Sequence, residues 1–251
     1  MLIRVGRGGG RRGFAPVVEA STPTPLTVAT LGMWFDASDA TTITHNSGAV
    51  SSWADKSGAG ITTSPLGANR PTTGTRTING LNTLDVTGND DGFAFSSGSF
   101  LLGNGNSTAF IVFQSDSTVA VRLVNGQDNS VGRYVVGFTG STGLDVRASA
   151  GSQSMTQTIT WNTNPNIFGL ILSGTTLRGH FAGVRSSNTG SMTAGLTMTS
   201  FRFGAAAGVT TGADGMLGEI LIYTSALSNA DVNTIGNYLS QKWGAVWSPG
   251  F

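Results

Sequence analysis

The stretch GEILIYTSALSNADVNTIGNYLSQKWG, residues 218–244, changes its hydrophobic period partway along. Up to Tyr223 the apolar residues are successive, which is typical of a strand covered on both faces. After Ser228, a natural N-cap, apolar residues recur with helical spacing as far as Gly244, a residue type that ends helices. The apolar face of that segment consists of Val232, Ile235, Leu239 and Trp243. The stretch therefore predicts a buried strand followed by a helix of about four turns.

Short apolar or alternating runs like the start of this stretch recur from about Leu26 onward. Clusters of Gly, Asn, Asp and Ser separate them, as turns separate antiparallel strands. The chain has 37 glycines in 251 residues and only two glutamates, a composition that disfavours a mainly helical protein. The clearest runs are LGMWFDA, LNTLDV, TAFIVFQS, TVAVRLV, RYVVGF, NIFGLIL, TLRGHFAG, MTSFRFG and GEILIYT. Because some of them are apolar on successive residues, we predict two stacked sheets.

The large apolar residues of these runs indicate where the core lies. We expect Trp34 and Phe35 to fill the core near the start of the first strand, and Trp53 to pack under the DKSG turn. The last strand, with Ile220 and Ile222, is expected to be central. The C-terminal helix is expected to cover an end of the sandwich.

Residues 1–25 differ in composition from the rest of the chain. MLIRVGRGGGRRGF is rich in glycine and arginine, and Pro23 and Pro25 stiffen the connector that follows. The apolar run that a secretory signal needs does not follow the arginines, and no run is long enough to predict a membrane-spanning helix. We therefore predict a basic arm and linker over 1–25, a single folded domain over 26–251, and no signal peptide.

Charge is segregated between the arm and the body. The chain has 14 Lys and Arg against 13 Asp and Glu, and four of the arginines lie in the arm. The body is therefore slightly acidic, so we expect attraction to anions from the arm alone, with neither nucleic acid nor a membrane as partner. The chain has no cysteine, which excludes disulfides and thiolate metal sites.

Two segments resemble the laminin-G-like or concanavalin A-like jelly-roll domains of phage and bacterial surface proteins. The first is LGMWFDASDATTIT…GAVSSWADKSGAG…ANRPT…INGLNTLDV, residues 31–86, and the second is residues 218–244. The resemblance implies an all-β, two-sheet antiparallel jelly-roll sandwich with one C-terminal helix and an extended N-terminal arm. It implies no particular activity, because this fold hosts lectins, glycosidases, adhesins and structural modules.

Paired carboxylates for glycoside cleavage are the first catalytic pattern to consider. Glu19 lies in the linker, so Glu219 is the only glutamate of the body, and the two-glutamate strand motif of the jelly-roll glucanases is absent. The aspartates of FDASD and GNDDG, at 35–39 and 88–92, are typical of turns. The two histidines, His45 and His180, have no serine elbow or metal-ligand neighbours around them. We therefore predict that the chain is not an enzyme and that it has no catalytic residues.

Ligand binding is a second class of function. Loop oxygens in NDDG and NGQDNS, at 89–92 and 125–130, are of the type that holds calcium, although any exposed turn contains them, and we predict no required cofactor. An aromatic platform for a glycan would come from Tyr134 or Trp161. Trp247 and Phe251 follow the helix, so they either fold back on it or contact another subunit of an oligomer.

The arm suggests attachment to another protein. Arg4, Arg7, Arg11 and Arg12, with Phe14 beside them, are suited to bind an acidic protein surface, because guanidinium groups bond carboxylates in pairs. We therefore predict a structural phage virion protein, a capsid decoration or head-fibre module that assembles in the host cytoplasm and contacts capsid or tail proteins. The alternative is a glycan-binding adhesin module of a tail fibre or a bacterial surface protein.

Overall fold

The computed structural model of the chain describes residues 24–87, 91–96, 105–118, 122–127, 133–138, 143–148, 153–159, 162–186, 189–191, 200–204 and 212–249. Within them it contains two antiparallel sheets and one α-helix. The predicted all-β, two-sheet antiparallel sandwich with a C-terminal helix is confirmed. No helix in these residues is long and apolar enough to cross a membrane.

The strands follow one another along the chain with short connections. They are β1 (Leu31–Asp36), β2 (Ile43–Asn46), β3 (Ala49–Trp53), β4 (Thr63–Pro65), β5 (Thr72–Ile78), β6 (Leu81–Thr87), β7 (Phe93–Phe95), β8 (Asn106–Ser115), β9 (Arg122–Gln127), β10 (Arg133–Phe138), β11 (Gly143–Ala148), β12 (Gln153–Thr158), β13 (Asn166–Ser173), β14 (Thr176–Phe181), β15 (Val184–Arg185), β16 (Gly190–Ser191), β17 (Ser200–Phe203) and β18 (Asp214–Tyr223). The helix α1 spans Asn229–Trp243, and 3-10 turns span Pro25–Thr27 and Ala40–Thr42.

The two sheets differ in the number of their strands and in the order of those strands. The larger sheet has the order β15-β14-β13-β8-β18-β6-β5-β3-β2, with β1 also paired to β18 and β16 to β14. The smaller sheet has the order β12-β11-β10-β9-β17-β7-β4. Strand β18 is central, as predicted, because it pairs with β8, β6 and β1.

The two sheets share one apolar core. Phe35 of the larger sheet packs against Trp53 and against Phe95 of the smaller sheet, with ring centroids 5.2 and 5.1 Å apart. Phe113 of β8 packs against Phe203 of β17 in the same way, at 6.0 Å. Each large side chain buried here contributes roughly 1.5–3 kcal/mol to stability.

The other face of the larger sheet is also apolar, and α1 covers it. Phe110 and Val112 alternate with core residues along β8 and pack with the helix residues, as does Leu221 of β18. The prediction that the helix covers an end of the sandwich is therefore wrong. The successive apolar residues of β8 and β18 do have both faces covered, one by the smaller sheet and the other by the helix.

Strand alternation also corrects the predicted place of Trp34. Phe35 lies in the shared core, whereas Trp34 lies with the helix on the opposite face. Neighbouring residues of a strand face opposite sides of its sheet, so the two rings could not occupy one core.

The predicted ends of the helix are confirmed. The hydroxyl of Ser228 accepts a hydrogen bond from the backbone N–H of Asp231, and Gly244 adopts the left-handed conformation with φ of 66°. The predicted apolar face is buried: Val232, Ile235, Leu239 and Trp243.

Candidate functional site

Several of the predicted site residues lie outside the described residues, and their roles stay predictions. They are Arg4, Arg7, Arg11, Arg12, Phe14, Trp161 and Phe251. The linker is described from Thr24, and Pro25 is buried, with its carbonyl accepting a hydrogen bond from the Tyr223 hydroxyl.

Trp247 folds back onto its own chain. Its side chain is buried, 6.1 Å from the Phe110 ring and stacked on His180 at 6.3 Å. The backbone N–H of Ser248 then donates to the carbonyl of Ala182, which ties the tail to the end of β14. Of the two alternatives for Trp247, the fold-back is the one observed, and a ring buried in this way is not available as an oligomer contact.

Tyr134 lies in β10, where the structure describes its backbone pairing, and its role as a glycan platform stays a prediction. It pairs with Gly126 of β9, which pairs with Phe201 of β17, which pairs with Phe95 of β7. Cross-strand partners share a face of their sheet, and Phe95 lies in the shared core. The backbone register therefore places position 134 in the same cross-strand row as Phe95.

A group of charged side chains, with buried carboxylates and half-buried lysines, joins the first strand, the last strand and the helix. We call Asp36, Lys56, Glu219 and Lys242 the carboxylate cluster. Lys242 Nζ lies 2.7 Å from Asp36 Oδ1 and 2.8 Å from Glu219 Oε2, and Lys56 Nζ lies 2.9 Å from Asp36 Oδ2. Lys56 Nζ also lies 2.9 Å from Asp39 Oδ2, so each ammonium group of the cluster contacts two carboxylates.

Aromatic donors complete the hydrogen bonding of Glu219. The indole N–H groups of Trp34 and Trp243 each donate to a carboxylate oxygen at 2.7 Å, and the Tyr238 hydroxyl donates at 3.0 Å. The Glu219 side chain has no exposed area. Its carboxylate is therefore fully occupied by donors from β1 and α1, which attaches the helix to the sheet.

Burial and charge act in opposite directions on the two carboxyl groups. Burial raises the pKa of Glu219, although Lys242 opposes the shift. For Asp36 burial acts the same way, but the charge and hydrogen bond of Lys242, with hydrogen bonds from Ser38 and Lys56, bring its pKa below the ordinary value. The cluster is suited to holding the helix in place, because both carboxylates are enclosed and bonded.

Sequence reasoning missed this role of Glu219 and Asp36. A signal was present, because a glutamate inside the apolar run GEILIY is a residue type that is seldom buried without partners. The turn prediction for FDASD is confirmed in part: Asp39 accepts from the backbone N–H of Thr41, and Asp36 accepts from that of Ser38.

The described residues contain no group of three or more acidic or histidine side chains placed to hold a metal ion. Asp91, in the predicted calcium loop NDDG, is buried, and its Oδ2 accepts from the backbone N–H and the hydroxyl of Thr87. The other loop, at 125–130, is described only as far as Gln127, so calcium binding there stays a prediction.

The smaller sheet presents a second, different surface, which we call the outer face: the side turned away from the shared core. One cross-strand row, the polar row, runs through all seven strands of this sheet. It consists of Ser64, Ala94, Arg202, Asn125, Val135, Arg147 and Ser154.

Described side chains on either side of the row establish which face is outer. Phe95, Phe203 and Ile159 are buried in the core, whereas their chain neighbours Ala94, Arg202 and Thr158 are half-buried or exposed. Because successive strand residues alternate between faces, the polar row lies on the outer face.

Nothing in the described part of the chain covers this outer face. The single described helix and the tail that follows it pack on the larger sheet instead. The outer face therefore carries the polar row, and the described helix packs on the other sheet.

Comparison with known proteins shows the fold. No protein-family model and no curated protein matches the chain. Among solved structures, domain 4 of an extracellular family-43 arabinanase from Geobacillus stearothermophilus, in complex with arabinotriose, has a TM-score of 0.60 at 12% identity, covering 83% of this chain and 98% of that one. The sialidase of Trypanosoma rangeli, in complex with sialic acid, has a TM-score of 0.64 at 16% identity, covering 92% of this chain and 36% of that one.

A third neighbour is the binding domain of botulinum neurotoxin serotype D. Its TM-score is 0.58 at 12% identity, covering 83% of this chain and 51% of that one. The chain therefore spans about a third of the sialidase and half of the toxin structure.

The prediction that the chain is not an enzyme is wrong, because solved structures with this fold include a domain of an arabinanase and a sialidase. Those proteins are enzymes as whole molecules, and a likeness of one sandwich domain at such low identity concerns the fold alone. The chain has the β-sandwich fold of these domains, and the comparisons do not single out the laminin-G-like family within it.

Proposed function

We propose that this protein is a glycan-binding module whose binding surface is the outer face of the smaller sheet. The observation that carries the proposal is the match to nearly the whole of an arabinanase domain that was solved with arabinotriose bound. A second neighbour is itself described as a binding domain.

The surface supports the same function. Sugars are bound through hydroxyl, amide and charged groups that fix their orientation, and the polar row contributes such groups at Arg202, Asn125, Arg147 and Ser154. On the larger sheet, the corresponding surface over β1, β8, β13 and β18 is covered by α1 and the tail. Binding is therefore expected on the smaller sheet.

A glycan array with the purified full chain tests the proposal. We expect selective retention of a subset of glycans, and weaker retention by the double variant Asn125→Ala, Gln127→Ala on β9. Gln241→Ala, at an exposed position of α1, is the matched control and should bind like the original chain. Failure to retain any glycan would refute the proposal.

Placement of the module on a phage particle stays a prediction, because the arm that motivates it lies outside the described residues. Under that prediction the arm binds an acidic surface of a capsid or tail protein and the sandwich projects from it. Deletion of residues 2–20 should then leave the sandwich folded and prevent incorporation into particles. Normal incorporation of the shortened chain would argue against the virion role.

A further inference from the structure

Arginine positions are concentrated on the outer face. The register places Arg147 and Arg202 in the polar row, Arg133 in the next row on one side, and Arg122 in the next row on the other side. Asp145, paired with Gly137, is the only acidic position on this face within the described strands. Four arginines against one aspartate leave an excess of three positive charges.

An irregularity in β9 brings Arg122 onto this face. Leu123 and Val124 are consecutive and both buried in the shared core, and the pairing of β9 with β10 shifts between Val136 and Gly137. Alternation therefore skips one residue there, so that Arg122 and Asn125 both occupy outer positions.

Three cations on or beside the larger sheet are used differently. Lys56 and Lys242 are paired with the carboxylates of the cluster, and Arg76 is paired with Asp85 and Asp116. Each of these cations is therefore balanced by a carboxylate of the same chain. The outer face, by contrast, has far fewer carboxylates than guanidinium groups.

We propose that the outer face binds a polysaccharide that carries carboxylate groups, an inference that rests on the proposed function. The planar fork of a guanidinium matches a carboxylate through two parallel hydrogen bonds, and all four cations here are arginine. Arg202 and Arg147 lie three strands apart in the polar row, which corresponds to roughly 14 Å. That separation allows two carboxylates on different sugars of one chain to be bound at once.

The modest charge of the face favours a carboxylated sugar polymer over a denser polyanion. Asn125 and Val135 separate the two arginines of the row, so two uncharged positions lie between the charged ones. A polymer with one carboxylate per sugar unit presents charges and hydroxyl groups in a similar mixture. Sulfated polysaccharide and nucleic acid are the competing ligands in the test.

The test measures binding of the full chain to polygalacturonate, dextran sulfate, single-stranded DNA and uncharged dextran by calorimetry at low and high salt. We expect polygalacturonate to bind most tightly and to weaken with salt, because salt screens exposed charges. The variant R147Q/R202Q should bind it about tenfold more weakly or worse, since it loses two charge-assisted contacts. R70Q/R185Q, which removes the same charge elsewhere, should bind like the original chain.

The four arm arginines need their own control, because they could bind any polyanion. The full-length variant R4Q/R7Q/R11Q/R12Q is expected to retain the affinity for polygalacturonate. Loss of affinity in this variant, with R147Q/R202Q unaffected, would overturn the inference. Stronger binding of dextran sulfate or DNA than of polygalacturonate would also overturn it.

Two outcomes separate this inference from the proposed function. Retention of neutral glycans alone, with no binding of polygalacturonate, would overturn the carboxylate assignment and leave the glycan-binding module standing. Retention of no saccharide of either kind would overturn both.

Discussion

The two faces that point away from the shared core use charge in opposite ways. On the larger sheet, Asp36 and Glu219 are buried beneath α1 and neutralised by Lys56 and Lys242. On the smaller sheet, the arginine positions are on a face that no described element covers. The difference shows that charged groups on a sheet stabilise the fold where groups of opposite charge are paired beneath a covering helix. Where one sign predominates on an open face, the charge is available to a ligand.

Removal of a cluster carboxylate should have the largest effect. Glu219→Ala leaves the three aromatic donors without their acceptor and removes one of the two carboxylate partners of Lys242. We expect a loss of about 3–5 kcal/mol in the free energy of unfolding, measured with urea. Asp145→Ala, which removes a carboxylate from the outer face, is the control and should change that free energy by less than about 0.5 kcal/mol. Equal effects of the two variants would contradict the contrast between the faces.

Low pH should lower the stability of the fold through His180, which lies on the face of the larger sheet that Trp247 covers. The pKa of this histidine is lowered from 6.5 to about 4, chiefly by burial; a hydrogen bond with the Gly183 backbone opposes the shift, and the charges of Arg185 and Arg178 contribute to it. The unfolded chain then binds the proton first as the pH falls. Stability that is present above pH 6.5 is therefore lost towards pH 4, by about 3 kcal/mol.

The measurement is the free energy of unfolding at several pH values for the original chain and for His180→Gln. Their difference isolates this group, because the carboxylates titrate in both proteins. A constant difference between pH 7 and pH 4 would show that His180 is not kept neutral by the fold.

The packing of the tail on the helix gives a smaller test. A Cβ atom at Gly236 would lie 1.9 Å from the Trp247 ring, so the ring would have to move. We expect Gly236→Ala to cost about 1–3 kcal/mol in the free energy of unfolding, although alanine is the better helix former. Asn237→Ala, at the exposed next position, should raise stability by a few tenths of a kcal/mol. A stabilising Gly236→Ala would mean that Trp247 does not pack there in solution.

The smallest effect on stability is expected for a substitution on the outer face of the smaller sheet. Arg147→Gln on the outer face should change the free energy of unfolding by less than about 0.5 kcal/mol, because no packed element depends on this position. Urea unfolding monitored by tryptophan fluorescence measures it. A loss above about 2 kcal/mol would indicate that the arginine is a structural residue, as the cluster lysines are.

Most of the elements could be predicted from local pattern. The run RYVVGF coincides with β10 (Arg133–Phe138), and the helix begins after Ser228 and ends before Gly244 as expected. The run TVAVRLV was less successful, because β9 spans Arg122–Gln127 and so continues into polar residues. There the pairing with β10 and β17 extends the strand beyond its apolar part.

The sites could not be predicted in the same way. Asp36 and Glu219 are 183 positions apart and become neighbours only because β1 pairs with β18. The face on which Tyr134 lies depends on its register with β9, which the local pattern does not specify.

The sequence by itself determined the type of each main element, since the hydrophobic period, the helix cap and the glycine stop act within a few residues of one another. Only the tertiary structure decided which sheet face the helix covers and which positions meet across strands. Arg147 and Arg202 come from β11 and β17, and they share one row because β9 and β10 lie between them. Contacts between distant segments depend on strand order and register, and those are set by the packing of the whole chain.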